Sequence, residues 1–251
     1  MFVLFCLIVM RMSGAIAFHP VLRVSGLPAR FRAALVLMLS LMLYSYVGGR
    51  LPMEPETLLE FGLLLLRELY IGFCLGFGIE LVFLTIRFAT SIMDFSMGLN
   101  MAQVFDPSTN TQSTVTSGLF YSLLILLFFA TDGHLHFLRL LFETAETIPL
   151  GTASLHIERV PGYMLEIFRS AVLAGLQIAF PIMGIELMTE VSLGILMRVI
   201  PQINIFVVNF QTKILVGLMM LFFLLNPLTD RMNRVLEQMN TVLRELLQLL
   251  R

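Results

Sequence analysis

The chain has 251 residues, of which 58% are hydrophobic and 13% are charged, and its formal net charge is −1. Soluble domains are nearer half apolar and one quarter charged, so this composition excludes an ordinary soluble fold and indicates an all-α integral membrane protein. The balanced charge provides no basic field for nucleic acid, and no linker divides the sequence, which predicts a single domain over residues 1–251.

Two apolar segments open the chain. Residues 1–22 are apolar except for Arg11, and no basic residues precede them as in a signal peptide, so we expect a permanent first helix. A connector with three arginines leads to residues 33–49, which carry no charge and predict a membrane helix. Charge bias would place both this connector and the C-terminal tail in the cytoplasm. A chain of helices that each cross the membrane once fits this charge distribution poorly. We therefore favour hairpins that enter the bilayer only partly and are shielded by partner subunits.

A long apolar helix is predicted from Thr57 toward Phe95. Thr57 fits an N-cap, and Glu60 completes a capping box. Gly72 and Gly76 lie near one face of this helix, at a spacing that lets helices approach closely. Glycines scattered without a packing role remain an equal alternative.

A polar stretch then separates two membrane segments. Residues 100–118 are rich in Ser and Thr and have almost no apolar run, so we expect irregular backbone there. Irregular backbone at membrane depth is tolerated only inside protein or beside a water-filled cavity. Met93, Met97 and Met101 lead into this stretch at four-residue spacing, which fits either a deformable thioether seal in a pore or ordinary core packing.

The second half alternates apolar segments with breaks. Residues 156–170 are amphipathic, residues 170–185 are apolar with a kink expected at Pro181, and Pro201 breaks the chain. An amphipathic helix is predicted over residues 227–251. Its apolar residues alternate steps of four and three, which is typical of a coiled-coil seam or of a surface helix.

Several charged residues lie inside the apolar segments. They are Arg67, Glu68, Glu80, Arg87, Glu186, Glu190 and Lys213. Each costs roughly 2.5–3.5 kcal/mol near the centre of a membrane helix, so these side chains must face protein or water. Glu186 and Glu190, one helical turn apart, fit an ion relay, but hydrogen bonding between subunits is the preferred interpretation.

No pattern in the chain indicates catalysis. Asp132, His134 and His136 alternate on a turn, but no third strong ligand or metalloprotease motif supports a metal site, so polar capping of helix ends is preferred. The sequence has no nucleophile elbow, phosphate loop or dinucleotide fingerprint. We therefore expect a protein that is not an enzyme and has no cofactor.

A series of short motifs extends over nearly the whole chain. They are LPAR at 27–30, ELYIG at 68–72, LGF at 75–77, MGL at 97–99, FDP at 105–107, DGH at 132–134, LG at 150–151 and PQINIF at 201–206. Each motif is weak alone, but their order and spacing are specific. The chain resembles the R-type export-gate family of flagellar biosynthesis and its counterpart in the type III secretion injectisome.

The resemblance implies bent helical hairpins packed in a hetero-oligomeric export gate in the bacterial inner membrane, within the flagellar basal body. Its expected partners are P-type, Q-type and B-type export-gate membrane proteins, membrane lipid and unfolded export substrates, with no nucleic acid. The subunit would form part of the pore that substrates enter and part of its plug. The alternatives are an injectisome subunit or a secondary transporter with broken helices, although no internal repeat supports a transporter.

The resemblance also implies roles for particular residues. The pore plug would comprise Met97, Met101, Val104, Phe105, Asp106 and Pro107. Subunit packing is assigned to Arg11, Glu68, Gly72, Gly76, Glu186, Glu190, Asn204 and Phe206. After Phe206 the family carries a Gly and a Pro before its Lys, whereas this chain has Asn209, Gln211 and Thr212. The family's contacts around Lys213 are therefore not transferred.

Overall fold

The computed structural model describes residues 2–24, 27–48, 55–102, 104–106, 111–113, 115–151, 159–200 and 205–250. Within these ranges the protein is helical apart from one short two-stranded ribbon. Among the described residues, four helices are long and apolar enough to cross a membrane, and a pair bent at a short break offers a fifth span. The predicted all-α integral membrane class is confirmed.

The elements follow one another in simple order. The first four helices are α1 (Phe2–Ala17), α2 (Pro20–Val24), α3 (Ala29–Val47) and α4 (Leu58–Ser96). A 3-10 helix (Leu99–Ala102) and strands β1 (Val104–Asp106) and β2 (Thr111–Ser113) come next. The remaining helices are α5 (Val115–Ala130), α6 (Gly133–Thr147), α7 (Val160–Val199) and α8 (Ile205–Leu250).

The start of α4 forms as the sequence predicts. The Glu60 backbone N–H donates to Thr57 Oγ1 at 3.2 Å, and Glu60 Oε2 accepts from the Glu56 backbone N–H at 3.0 Å. These two bonds satisfy backbone donors that have no partner inside the helix. The capping box is therefore confirmed, with its reciprocal bond made one residue earlier than in the usual motif.

The tail helix expected to begin at Pro227 is not separate, because α8 continues through this proline. Residues 160–199 form one helix that contains Pro181, and the kink expected there stays a prediction. A proline removes one helical hydrogen bond, but leaving more backbone groups unpaired in an apolar setting would cost more. The polar stretch also differs from expectation, because β1 and β2 pair antiparallel with Val104 opposite Ser113.

The chain divides into two compact units. Unit 1 comprises Met1–Phe83, Phe128–Arg169 and Leu236–Arg251, and unit 2 comprises Leu84–Leu127 and Ser170–Val235. Helices α4, α5, α7 and α8 contribute residues to both units. The interpretation of the chain as one export-gate domain stays a prediction.

Helices α1 and α4 touch backbone to backbone in unit 1. A Cβ atom at Gly72 would lie 2.0 Å from the Arg11 carbonyl oxygen, and one at Gly76 would lie 2.5 Å from the Ala15 carbonyl oxygen. A Cβ atom at Gly14 of α1 would likewise lie 2.5 Å from the Leu69 carbonyl oxygen. Only glycine fits at such contacts. The small-residue face of α4 therefore packs against another helix of this chain.

The end of α8 completes the core of unit 1. Leu246 and Leu250 are buried with Ile71 and Cys74 of α4, and Val242 and Leu249 pack at the edge of this cluster. Hydrophobic residues spaced by three and four along a helix form such a continuous apolar face. The seam predicted from the sequence thus packs inside this chain.

His19, between α1 and α2, is a buried and neutral histidine. Its ring lies 5.8 Å from the ring of Phe128 and 4.6 Å from that of Phe137. Neither ring nitrogen has a hydrogen-bond partner among the described residues. Burial lowers the pKa of His19 from 6.5 to about 4, because desolvation disfavours the charged ring.

We expect His19 to make the protein less stable in mild acid. The free energy of unfolding falls as the pH drops from 6.5 to about 4, because only the unfolded chain then gains a proton at His19. Between about pH 7.5 and pH 5 the loss amounts to about 2 kcal/mol. Unfolding by denaturant in mixed micelles at both pH values measures this loss of stability. The His19→Phe variant should lack this part of the pH dependence. An identical pH dependence in both chains would contradict the prediction.

Candidate functional site

A buried ion pair crosses the core of unit 1. Arg11 Nε lies 2.6 Å from Glu68 Oε2, and the two side chains are 0% and 1% exposed. Arg11 also donates to the carbonyl oxygens of Thr144 and Ile148, at 3.0 and 3.1 Å. The Gly151 backbone N–H donates to Glu68 Oε1 at 3.1 Å. Two charges that the sequence analysis assigned to contacts between subunits therefore satisfy each other inside one chain.

A polar segment leaves the C-terminal end of α4 in unit 2. We call residues 98–116 the hairpin segment, because their described parts include the 3-10 helix and the β1–β2 ribbon. Gly98 begins the segment with φ 77°, a left-handed conformation that suits glycine and ends a helix. The Gly98 backbone N–H donates to the Phe95 carbonyl oxygen at 3.1 Å. The segment therefore starts from a defined helix end.

The N-terminal end of the hairpin segment is held by a close contact with α8. The side chain of Met97 is completely buried. A Cβ atom at Gly217 would lie 2.3 Å from Met97 Sδ and 3.0 Å from Glu186 Oε1. We call this space the Gly217 notch. Gly98 lies next to it, where an added Cβ would be in ordinary contact with the Phe210 ring at 3.7 Å.

The C-terminal end of the hairpin segment is held by Asp94. Asp94 Oδ2 accepts the backbone N–H of Ser117 at 3.0 Å, and the hydroxyls of Ser117 and Thr90 lie 3.2 Å apart. Ser117 is in the first turn of α5, where backbone donors lack helical partners. Asp94 therefore satisfies one of these donors from another helix. Sequence reasoning missed Asp94, although a lone acid one turn before Met97 was a usable signal.

Asp94 lies in the last turn of α4 and Met97 directly follows that helix, so the hairpin segment leaves and returns at the same place. The predicted plug residues are distributed along it: Met101 lies in the 3-10 helix, and Val104, Phe105 and Asp106 form β1. Pro107 lies outside the described residues. Among the predicted plug residues, Met97 is the one whose side chain the structure describes. It forms the N-terminal anchor of the hairpin segment.

The acids of α7 form a cluster with Lys213 of α8 in unit 2. Glu190 Oε2 lies 3.3 Å from Lys213 Nζ, and the Glu190 side chain is 54% exposed. Glu186, one turn earlier, is 2% exposed and borders the Gly217 notch. The cluster thus combines one half-exposed ion pair with one buried carboxyl group. Of the other predicted packing residues, Asn204 lies outside the described residues and Phe206 belongs to the first turn of α8.

Large apolar side chains remain exposed on the predicted spans of unit 2. They include Phe180, Leu187, Met188, Val191, Leu215, Met219, Phe222 and Phe223. Phe222 is 75% exposed. Large apolar side chains that stay exposed on candidate membrane spans require lipid or another protein as a neighbour.

The residues considered for a metal site are placed at the start of α6. Asp132 has φ 56° at the N-cap position and makes no capping bond through its side chain. His136 Nδ1 lies 2.9 Å from the Asp132 carbonyl oxygen, and the His134 ring packs 5.2 Å from that of Phe129. In the part of the chain that the structure describes, no three His, Cys, Asp or Glu residues are grouped to hold a metal ion.

Comparison with known proteins links the chain to bacterial export. A family model described as bacterial export proteins, family 1, matches residues 2–239. The flagellar biosynthetic protein FliR of Pectobacterium carotovorum subsp. carotovorum is 31% identical, over 86% of this chain and 81% of that protein. FliR of Escherichia coli (strain K12) is 29% identical over 83% and 79%, and FliR of Bacillus subtilis (strain 168) is 26% identical over 88% and 85%.

Proposed function

The chain belongs to the bacterial export proteins, family 1, and we propose that it is a structural and gating subunit of the flagellar type III protein export gate. Its similarity to FliR proteins over most of the chain supports a component of the flagellar export apparatus rather than of an injectisome. Its apolar helices place that component in a membrane. The bacterial inner membrane at the flagellar basal body is the proposed location.

The observation that carries the gating role is the anchoring of the hairpin segment at both ends. Met97 in the Gly217 notch holds one end, and Asp94 holds the other through Ser117. A polar ribbon between membrane helices needs protein or water around it. A ribbon held in this way is suited to closing a pore and to moving without disturbing the helices. We infer that the ribbon forms the plug of the pore that unfolded export substrates enter.

The surface of unit 2 supports membership of a larger assembly. The Glu190–Lys213 pair is partly exposed among apolar side chains of candidate spans, where acyl chains would solvate it poorly. Neighbouring protein can cover both the pair and the exposed apolar residues. P-type, Q-type and B-type export-gate proteins are the partners that we propose, with lipid around the remaining surface.

A pocket among the described residues of unit 1 offers no support for a catalytic role. An apolar cavity of about 380 Å³ in unit 1 is lined by Tyr70, Phe73, Cys74 and Met164 among others. None of the residues that line it carries a carboxylate, imidazole or amine, and most general acids and bases in proteins are groups of these kinds. We propose that energy for export is supplied by other components.

Removal of the ribbon tests the plug directly. Val104 lies opposite Ser113, so residues 105–112 can be replaced by an Asn-Gly turn while both anchors stay intact. We expect the variant to assemble and to raise ion leakage across the inner membrane. Native mass measurement of the complex in gentle detergent controls for assembly. Unchanged leakage through a fully assembled complex would reject the plug.

A further inference from the structure

Glu186 is a buried acid that the gating role described above does not use. Its side chain is 2% exposed, and neither carboxyl oxygen has a hydrogen-bond partner among the described residues. The nearby Lys213 is bound to Glu190, and an ionised carboxylate without hydrogen bonds or a bound counter-ion is strongly disfavoured in an apolar interior. Glu186 therefore carries its proton in the arrangement that the structure shows.

The groups around this carboxyl come from α7, from α8 and from the residue that follows α4. That residue is Met97, which is apolar and shares the Gly217 notch with Glu186 Oε1. The charged groups that act electrostatically on Glu186 are Lys213 from α8 and Glu190 from its own helix. These two are bound to each other, with Lys213 Nζ 3.3 Å from Glu190 Oε2. Lys213 and Gly217 lie one helical turn apart and so share a face of α8.

We propose that Glu186 is a proton-binding site that decides whether Met97 stays in the Gly217 notch. The inference rests on the proposed function, because Met97 anchors the segment assigned to the plug. When Glu186 gives its proton to water, its O–H bond breaks and the electron pair stays on the carboxylate. That carboxylate needs a cation, and Lys213 is the cation nearby.

Movement of Lys213 from Glu190 to Glu186 has a steric consequence. The ammonium group enters the space beside Gly217, where the Met97 thioether is already in close contact. Met97 then leaves the notch, and the hairpin segment loses its N-terminal anchor. The contact between Asp94 and Ser117 involves none of these groups, so the segment is freed at one end only.

Hydrogen–deuterium exchange of the hairpin segment tests the inference in the complete export complex in lipid nanodiscs. After correction for the intrinsic effect of pH, we expect exchange within residues 98–113 to accelerate about tenfold between about pH 6 and pH 8. Glu186→Gln mimics the protonated acid, so the hairpin segment of this variant should stay protected from exchange at both pH values. The same acceleration in Glu186→Gln would overturn the proposal.

Two further variants keep the test decisive if Glu186→Gln fails to assemble. Lys213→Met removes the cation and should also stay protected at high pH, so acceleration in this variant would overturn the proposal as well. In Gly217→Ala the added methyl group fills the notch, so the hairpin segment should exchange fast at both pH values. Gly194→Ala is its matched control, because a Cβ there meets no atom within 4 Å.

The outcomes separate this inference from the plug. If ribbon removal raises leakage while Glu186→Gln exchanges like the unchanged chain, only the proton site is wrong. If ribbon removal leaves leakage unchanged while the exchange still depends on Glu186, the plug is wrong and the proton-controlled anchor stands.

Discussion

Replacing Gly72 by alanine is expected to destabilise unit 1 by about 3 kcal/mol, the upper end of typical overpacking costs. The new Cβ would lie 2.0 Å from the Arg11 carbonyl oxygen and 2.8 Å from the Ala15 backbone nitrogen. Backbone atoms cannot rotate away as a flexible side chain can, so α1 and α4 must separate. Unfolding by denaturant in mixed micelles, followed by circular dichroism, measures the change.

Gly62→Ala is the matched control on the same helix. A Cβ at Gly62 meets no atom within 4 Å, so the substitution should be neutral or stabilising by up to about 1 kcal/mol through helix propensity. Equal effects of the two substitutions would show that the contact between α1 and α4 is not as close as the structure has it.

Removing one partner of the buried ion pair should have an equally large effect. Arg11→Met leaves the Glu68 carboxylate buried without its cation, which typically costs about 3–5 kcal/mol. Glu68→Met leaves the Arg11 guanidinium buried without its anion, and a similar cost is expected. The same unfolding measurement applies to both variants, with Arg198→Met, at an exposed position near the end of α7, as the control for loss of a surface charge.

The double variant identifies the origin of that cost. Arg11→Met with Glu68→Met leaves no unpaired charge and should recover about 2 kcal/mol or more of the loss. Recovery should be incomplete, because Arg11 also donates to the carbonyl oxygens of Thr144 and Ile148. Additive losses in the double variant would mean that the two charges do not interact in the folded protein.

Local and compositional features of this protein could be predicted from its sequence. The apolar composition indicated a membrane protein, and Thr57 with Glu60 located the start of α4. The glycine spacing on α4 predicted a close helix contact. The polar stretch marked the hairpin segment. Each of these depends on residues near one another in the chain, or on the total number of apolar residues that water would have to solvate.

The candidate site was predictable only in part. Met97 and Glu186 were both singled out, but for separate roles, and nothing in the sequence showed that they share the Gly217 notch. Asp94 was not singled out, because its contact with Ser117 depends on where α5 begins. The continuation of a helix through a proline was also underestimated, as α8 shows at Pro227.

The sequence by itself determined that this chain is a helical membrane protein with charges that lipid cannot accommodate. Only the tertiary structure decided which group satisfies each charge: Arg11 pairs with Glu68, 57 residues away, and Lys213 pairs with Glu190 rather than Glu186. The physical reason is that the need for a partner is a property of one buried charge, whereas the partner's identity depends on which helices come within about 4 Å of it.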